Sequence, residues 1–129
     1  MSTVSRGKPV KYEVDGVATP GRTSLHIQPE ETFKPFRFHL SGDLEKLSVV
    51  SIKVGVVEQM LHELGRRPEP VPAEIFVRVE GSPVWLAFDT CDSSLLFSVE
   101  LVNDGDGDAK VKMELEGDSL APRGLSLVR

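Results

Sequence analysis

Alternation of apolar and polar residues is the feature of this 129-residue sequence that most limits its fold. Successive side chains of a β-strand point to opposite faces of a sheet, so this pattern is typical of strands with one buried face. It predicts strands at Thr23–Gln28, Lys34–Leu40, Leu47–Val56, Ala73–Val79, Val84–Phe88, Leu95–Val102 and Ala109–Leu115. Weaker alternation at Val10–Val14 and Leu125–Leu127 could add a strand at each end.

The same alternation predicts which side chains face the core. In segments 34–40 and 47–56 these are Phe36, Phe38, Leu40, Val50, Ile52, Val54 and Val56. In the last two clear segments they are Leu95, Phe97, Val99, Leu101, Ala109, Val111, Met113 and Leu115. A shift of one residue would turn each set toward solvent, so these are definite structural expectations.

Turn-forming sequences separate the predicted strands, among them Pro20-Gly21, Ser41-Gly42-Asp43 and Asn103–Asp108. About eight short strands with such turns predict an all-β fold, an antiparallel β-sandwich of the jelly-roll-like kind. A parallel sheet would need long helices between its strands. The best helix candidate, Val57–Leu64, is short and could equally be a strand end followed by a loop.

The length fits one domain with its own core, which we place at residues 22–129. Residues 1–21 are polar and contain glycine and proline, so we expect a flexible or extended N-terminal arm, which a partner could order. Residues 65–72 carry prolines at alternate positions, which predicts a stiff, extended loop.

Charge and composition limit the partners and the location. A net charge of −5 with scattered basic residues argues against a protein that binds nucleic acid by neutralising phosphates. Residues 1–19 lack the apolar segment of a secretory signal, and no apolar run approaches the roughly 20 residues of a membrane span. The single cysteine, Cys91, fits a reducing compartment. We expect a cytoplasmic protein before any assembly, without membrane partners.

The segment Asn103–Asp108 is a weak candidate for calcium binding. Asp104, Asp106 and Asp108 have the spacing of the first half of a calcium loop, in which clustered carboxylates bind the ion. The twelfth position of such a loop is Leu115 rather than glutamate, and strands flank the segment on both sides. The alternative is a hairpin turn in which Asx and Gly residues supply the backbone conformation.

No catalytic arrangement is visible in the sequence. The histidines His26, His39 and His62 lack metal-binding spacing, and we expect them at the surface. Acidic neighbours of Cys91 should raise its pKa, which opposes the thiolate that a nucleophile needs. Nucleophile-elbow, dinucleotide and phosphate-loop motifs are missing. We therefore expect no enzyme activity, no cofactor and no structural metal.

Three large apolar residues stand at positions that the alternation assigns to the outer face, namely Phe76, Trp85 and Leu96. If their strands are neighbours, they form a contiguous apolar patch, and such patches mark interfaces on soluble proteins. Tryptophan is also enriched at interface hot spots. The alternative is that a loop or the N-terminal arm of the same chain covers this face.

The central segment, roughly Phe33 to Gly117, resembles a group of small phage-associated virion structural proteins of the head-decoration or capsid type. The matching motifs are Pro35-Phe36-Arg37, Ile52-Lys53-Val54-Gly55, Gln59, the run from Pro70 to Phe76, Asp89-Thr90 and Asn103. The chain departs from the group at residues 41–44, where a proline-serine turn is usual, and in its Asp-rich turn. The resemblance implies a non-enzymatic β-sandwich that assembles on or into a particle.

Two functions from different classes follow from these observations. The leading hypothesis is a virion subunit that self-associates through a sandwich face and the arm and binds a capsid lattice. The rival is a carbohydrate-binding module in which Trp85 and Phe76 stack on sugar rings.

Overall fold

In this computed structural model of the chain, the described residues are 8–61, 70–76, 85–86 and 89–120. For residues 61, 85 and 86 the backbone alone is described. Within these ranges the strands are β1 (Pro9–Ala18), β2 (Gly21–Ile27), β3 (Phe33–Gly42), β4 (Leu47–Val54), β5 (Val57–Glu58), β6 (Met60–Leu61), β7 (Val71–Pro72), β8 (Trp85–Leu86), β9 (Phe97–Asn103) and β10 (Ala109–Ser119). A 3₁₀ helix follows β7 at Ala73–Phe76.

The strands form two main antiparallel sheets with an interleaved order. The three-stranded sheet has the order β1-β10-β3, and the five-stranded sheet has the order β2-β9-β4-β5, with β7 also paired to β4. A separate short pair joins β6 and β8. The connections β1–β2, β2–β3, β3–β4 and β9–β10 each cross from one main sheet to the other. This alternation is the jelly-roll arrangement, so the predicted all-β antiparallel sandwich is confirmed.

The core lies between the two sheets and is built mainly from their central strands. Strands β9 and β10 supply alternate buried residues, namely Phe97, Val99, Leu101, Val111, Met113 and Leu115. The rings of Tyr12 and Phe33 meet edge to face at 5.1 Å between centroids. The predicted inward faces of β10, and of β9 from Phe97 onward, are confirmed. Each of these strands buries one face along its whole length, so apolar and polar residues alternate in it without interruption.

Two bulges change the faces predicted for β3 and β4. The pairing of β4 with β9 shifts between Val49 and Ser51, so Val50 is an extra residue that is only partly buried. The buried residues are Leu47 and Val49 before the bulge, and Ile52 and Val54 after it. The prediction that Val50 faces the core is therefore wrong, and the same prediction for Val56 is wrong because this residue lies in the turn after β4. A bulge inserts one residue and reverses the alternation that follows it.

The second bulge affects Phe36 in β3. The pairing of β10 with β3 shifts between Glu116 and Gly117, and Phe36 is left without a paired residue. Its ring is about half exposed, whereas Pro35 and Phe33 on the same strand are buried. The core position predicted for Phe36 is also wrong, for the same physical reason.

The N-terminal arm predicted at residues 1–21 is corrected over most of its length. Residues 9–18 form β1, which pairs with β10 at every position from Pro9 with Asp118 to Ala18 with Ala109. Gly21 already belongs to β2. The weak alternation of Val10, Tyr12 and Val14 was the correct signal, because these side chains pack against the core. Residues 1–7 lie outside the described residues.

Four other local predictions have different outcomes. The strand predicted at Ala73–Val79 is a 3₁₀ helix over residues 73–76, and 77–79 are not described. The candidate helix at Val57–Leu64 is wrong over residues 57–61, which contain β5 and β6. Buried Gln59 fixes these strands, since its amide bonds both the backbone and the carboxylate of Asp89. Leu125–Leu127 and residues 65–69 of the proline-rich loop lie outside the described residues.

Candidate functional site

The structure does not bring the predicted interface residues Phe76, Trp85 and Leu96 together on an outer face. Phe76 is 5 % exposed, and its ring packs edge to face on Phe38 at 5.3 Å between centroids. The prediction for Phe76 is wrong because the 3₁₀ helix directs this ring into the core. Leu96 is exposed and lies in the turn before β9. Trp85 pairs with Leu61 through its backbone, and its side chain is outside the described part of the chain.

A different apolar surface lies at one end of the five-stranded sheet, and we call it the end patch. Its members are exposed by 91 % at Val56, 52 % at Val57, 36 % at Leu95 and 39 % at Leu96. Val56 belongs to the turn between β4 and β5, whereas the two leucines precede β9. The amide of Gly55 donates to the carbonyl of Leu96 at 2.9 Å, which joins the two turns.

The turn that carries Val56 is held firmly. Gly55 has a φ of +63°, and a Cβ atom there would lie 3.2 Å from Cδ2 of Leu95, so glycine suits this position. The carboxylate of Glu58 accepts hydrogen bonds from the Ser51 hydroxyl at 2.7 Å and from the Ile52 amide at 2.9 Å. These bonds attach β5 to β4 immediately beside the exposed valines. Few backbone conformations remain open to the turn.

The turn that carries the leucines is held by its own hydrogen bonds. The amide of Leu95 donates to the carbonyl of Asp92 at 2.8 Å. The Asp92 carboxylate accepts from both the amide and the hydroxyl of Ser94, each at 2.9 Å. Both halves of the end patch are therefore preorganised, which lowers the entropic cost of burying them against a partner.

An acidic cleft occupies the opposite ends of β4 and β9. It has a volume of about 620 Å³ and lies between the loop before β4 and the loop after β9. Its charged lining residues are Asp43, Glu45, Lys46, Glu74, Asp106 and Asp108. Strand β4 has eight residues, so the cleft lies roughly 25 Å from the end patch at 3.3 Å per residue. The sandwich thus has one apolar end and one acidic end.

The Asp-rich segment is a hairpin loop organised by Asn103. The Asn103 amide donates to the carbonyls of Ala18 at 2.7 Å and Gly107 at 3.0 Å, and its oxygen accepts from the Gly105 amide at 2.8 Å. This pattern favours the turn interpretation of the segment. In the described part of the chain, Asp104, Asp106 and Asp108 do not converge, since no three metal-ligating side chains there could hold an ion.

The described histidines lie on different sheets. His26 is exposed in β2, and its Nδ1 atom lies 3.0 Å from the hydroxyl of Ser98. His39 lies in β3, where its Nδ1 atom is buried without a hydrogen-bond partner among the described residues. His62 is outside the described ranges. The two rings are therefore separate features rather than parts of one site.

Cys91 is buried where its backbone bridges to Phe33. Burial, and to a smaller extent the charge of Asp92, raises the pKa of its thiol to about 11. The predicted direction agrees with this shift, but burial rather than the acidic neighbour is the main cause. A thiol of this kind is a poor nucleophile.

We expect Cys91 to react with an aromatic disulfide reagent at least ~100-fold more slowly in the native protein than in urea at about pH 8, because a pKa raised from 9.0 to about 11 depletes the thiolate. Absorbance of the released aromatic thiol measures both rates. Native labelling within about tenfold of the unfolded rate would show that Cys91 is accessible.

Comparisons with known proteins give no assignment, because no protein family, curated protein or solved structure matches this chain. Among the described residues, no helix has the length and apolar character needed to cross a bilayer.

Proposed function

We propose that this protein is a non-enzymatic structural subunit that self-associates, as a capsid or decoration component of a virion. The observation that carries the proposal is the end patch, a set of exposed apolar side chains on two rigid turns. Single exposed apolar residues are ordinary, but four of them on two turns joined by a hydrogen bond form a group of the kind found at interaction surfaces.

The fold is compatible with this role. Jelly rolls form viral capsid domains, but they also form lectins and cupins, so the fold alone does not assign the function. The resemblance of residues 33–117 to virion structural proteins favours the capsid class within this range. The end patch then supplies what an assembling subunit needs, which is apolar surface that a neighbouring subunit can remove from water.

The position of Phe76 argues against the carbohydrate-binding alternative. It needed Phe76 and Trp85 as neighbouring stacking rings, and Phe76 is packed inside the core against Phe38. Aliphatic side chains make up the end patch, and these give no aromatic stacking face for a sugar ring. A self-associating subunit therefore explains more of the exposed surface.

Light scattering tests the proposal. We expect the purified protein to form oligomers whose mass rises with concentration, and Val56→Asp to raise the dissociation constant about 100-fold. Burial of one valine contributes roughly 1.5 kcal/mol, and a two-fold contact would lose it twice. Multi-angle light scattering coupled to gel filtration measures the mass at each concentration.

Val17→Asp is the control, because Val17 is a valine with 47 % exposure on β1 of the other sheet, away from the end patch. This variant should associate like the wild type. A wild-type protein that stays monomeric at millimolar concentration would sink the proposal. Equal dissociation by both substitutions would remove the end patch as its basis.

A further inference from the structure

We infer that the subunits associate end patch to end patch, with a second copy of this chain as the occupant of the patch. This inference rests on the proposed self-association and adds its geometry. The contact is isologous, so the same residues of both copies meet around a two-fold axis. Val56 is the most exposed member of the patch and lies near that axis.

The charges at the two ends of the sandwich oppose the main alternative, a head-to-tail contact. In that arrangement the apolar end of one copy would cover the acidic cleft of the next. The cleft is lined by five carboxylates and one lysine. The four members of the end patch are uncharged, and the exposed Lys53 at its margin is one cation against five carboxylates, so most of the carboxylates would be buried without a partner, which is costly. A patch-to-patch contact buries apolar surface against apolar surface instead.

The net charge of the chain favours the same arrangement. Each copy carries a formal charge of −5, so two copies repel unless their acidic regions are far apart. A patch-to-patch dimer places the two acidic clefts at opposite extremes, roughly 50 Å apart if each lies one strand length from the contact. This separation is several times the Debye length of about 8 Å at physiological ionic strength, so the repulsion is screened.

The surroundings of the end patch fit the edge of an interface. Lys53 and Asp92 are both exposed and flank the patch, one in β4 and the other in the turn before β9. Interfaces characteristically have an apolar centre and a polar rim. The contact surface therefore has a centre at Val56 and charged residues at its margin.

Cysteine cross-linking tests this geometry directly. We expect Val56→Cys to form a disulfide-linked dimer when diamide is added, since a two-fold axis brings the two new thiols together. Two thiols lose two electrons and two protons to diamide as the disulfide forms. The native Cys91 is buried, so the wild-type protein gives the background. Val17→Cys gives the rate expected from random collision, and Val56→Cys should cross-link at least tenfold faster.

A mixture of Val56→Cys with a tagged Asp106→Cys variant examines the head-to-tail contact. Light scattering of the wild-type protein is measured in parallel, so that a failure of the patch-to-patch geometry can be distinguished from a failure of self-association. Suppose that light scattering shows oligomers. A cross-linked product between the Val56→Cys and Asp106→Cys variants, or a Val56→Cys cross-linking rate no faster than that of Val17→Cys, would then overturn the patch-to-patch geometry and leave self-association standing. A monomeric wild type would remove the proposed function itself.

Discussion

Gly117→Ala should lower the free energy of unfolding by about 3 kcal/mol or more, because overpacking against backbone is among the most damaging single changes. Gly117 lies in β10 at the bulge opposite β3. A Cβ atom there would overlap the carbonyl oxygen of Lys34 and lie 2.8 Å from Cδ2 of Phe33. The backbone of β3 must move to relieve this contact. Urea denaturation measures the loss as a fall in the transition midpoint.

Gly107→Ala is the control for this prediction. It makes the same chemical change in the loop between β9 and β10, where a Cβ atom would have no neighbour within 4 Å. Its effect should stay within about 0.5 kcal/mol, as for ordinary surface substitutions. If Gly117→Ala were as stable as this control, the close approach of β10 to β3 would be refuted.

The second large effect is expected for Asn103→Ala, which should lower the free energy of unfolding by about 3 kcal/mol. Each buried polar group left without its partner costs about 1–3 kcal/mol. The Asn103 side chain is buried and satisfies the carbonyls of Ala18 and Gly107 and the amide of Gly105. Alanine would leave all three without this partner. Urea denaturation gives the stability, and hydrogen exchange at the Gly105 amide reports the loop directly.

Asp104→Asn provides the comparison, since Asp104 is exposed and adjacent in sequence. It should change stability by no more than about 0.5 kcal/mol. A loss in Asn103→Ala no greater than that in Asp104→Asn would mean that the loop is held by its backbone alone. Calcium should protect neither variant, because the described carboxylates do not converge.

The sequence predicted the sandwich because burial on one face leaves a direct trace in the order of residues. Strand β10 shows this most clearly, with Ala109, Val111, Met113 and Leu115 all buried as expected. The alternation in sequence stops matching the buried face where a strand has a bulge. Val50 and Phe36 continue the alternation in sequence, but their faces depend on pairing with β9 and β10, which is distant in the chain. Local patterns do not contain that information.

The candidate site was harder to predict than the fold for the same reason. Alternation assigned Val56 and Leu95 to the core, whereas both lie in turns at the end of the sheet. Gly55 and the Asp92-Ser93-Ser94 segment were the available turn signals. Conversely, the strand-like alternation of residues 73–79 predicts an outer face for Phe76. The 3₁₀ helix at residues 73–76 rotates it inward.

The interleaved strand order has a consequence for synthesis of the chain. The central partners of both sheets, β9 and β10, come from residues after 96, so β1 to β4 emerge from the ribosome before the strands that join them. Such non-local pairing makes folding slow and leaves strand edges open until late. Val56 is also made before Leu95 and Leu96. The two turns of the end patch can therefore pair only late in synthesis, once residues 95 and 96 have followed residue 56 out of the ribosome.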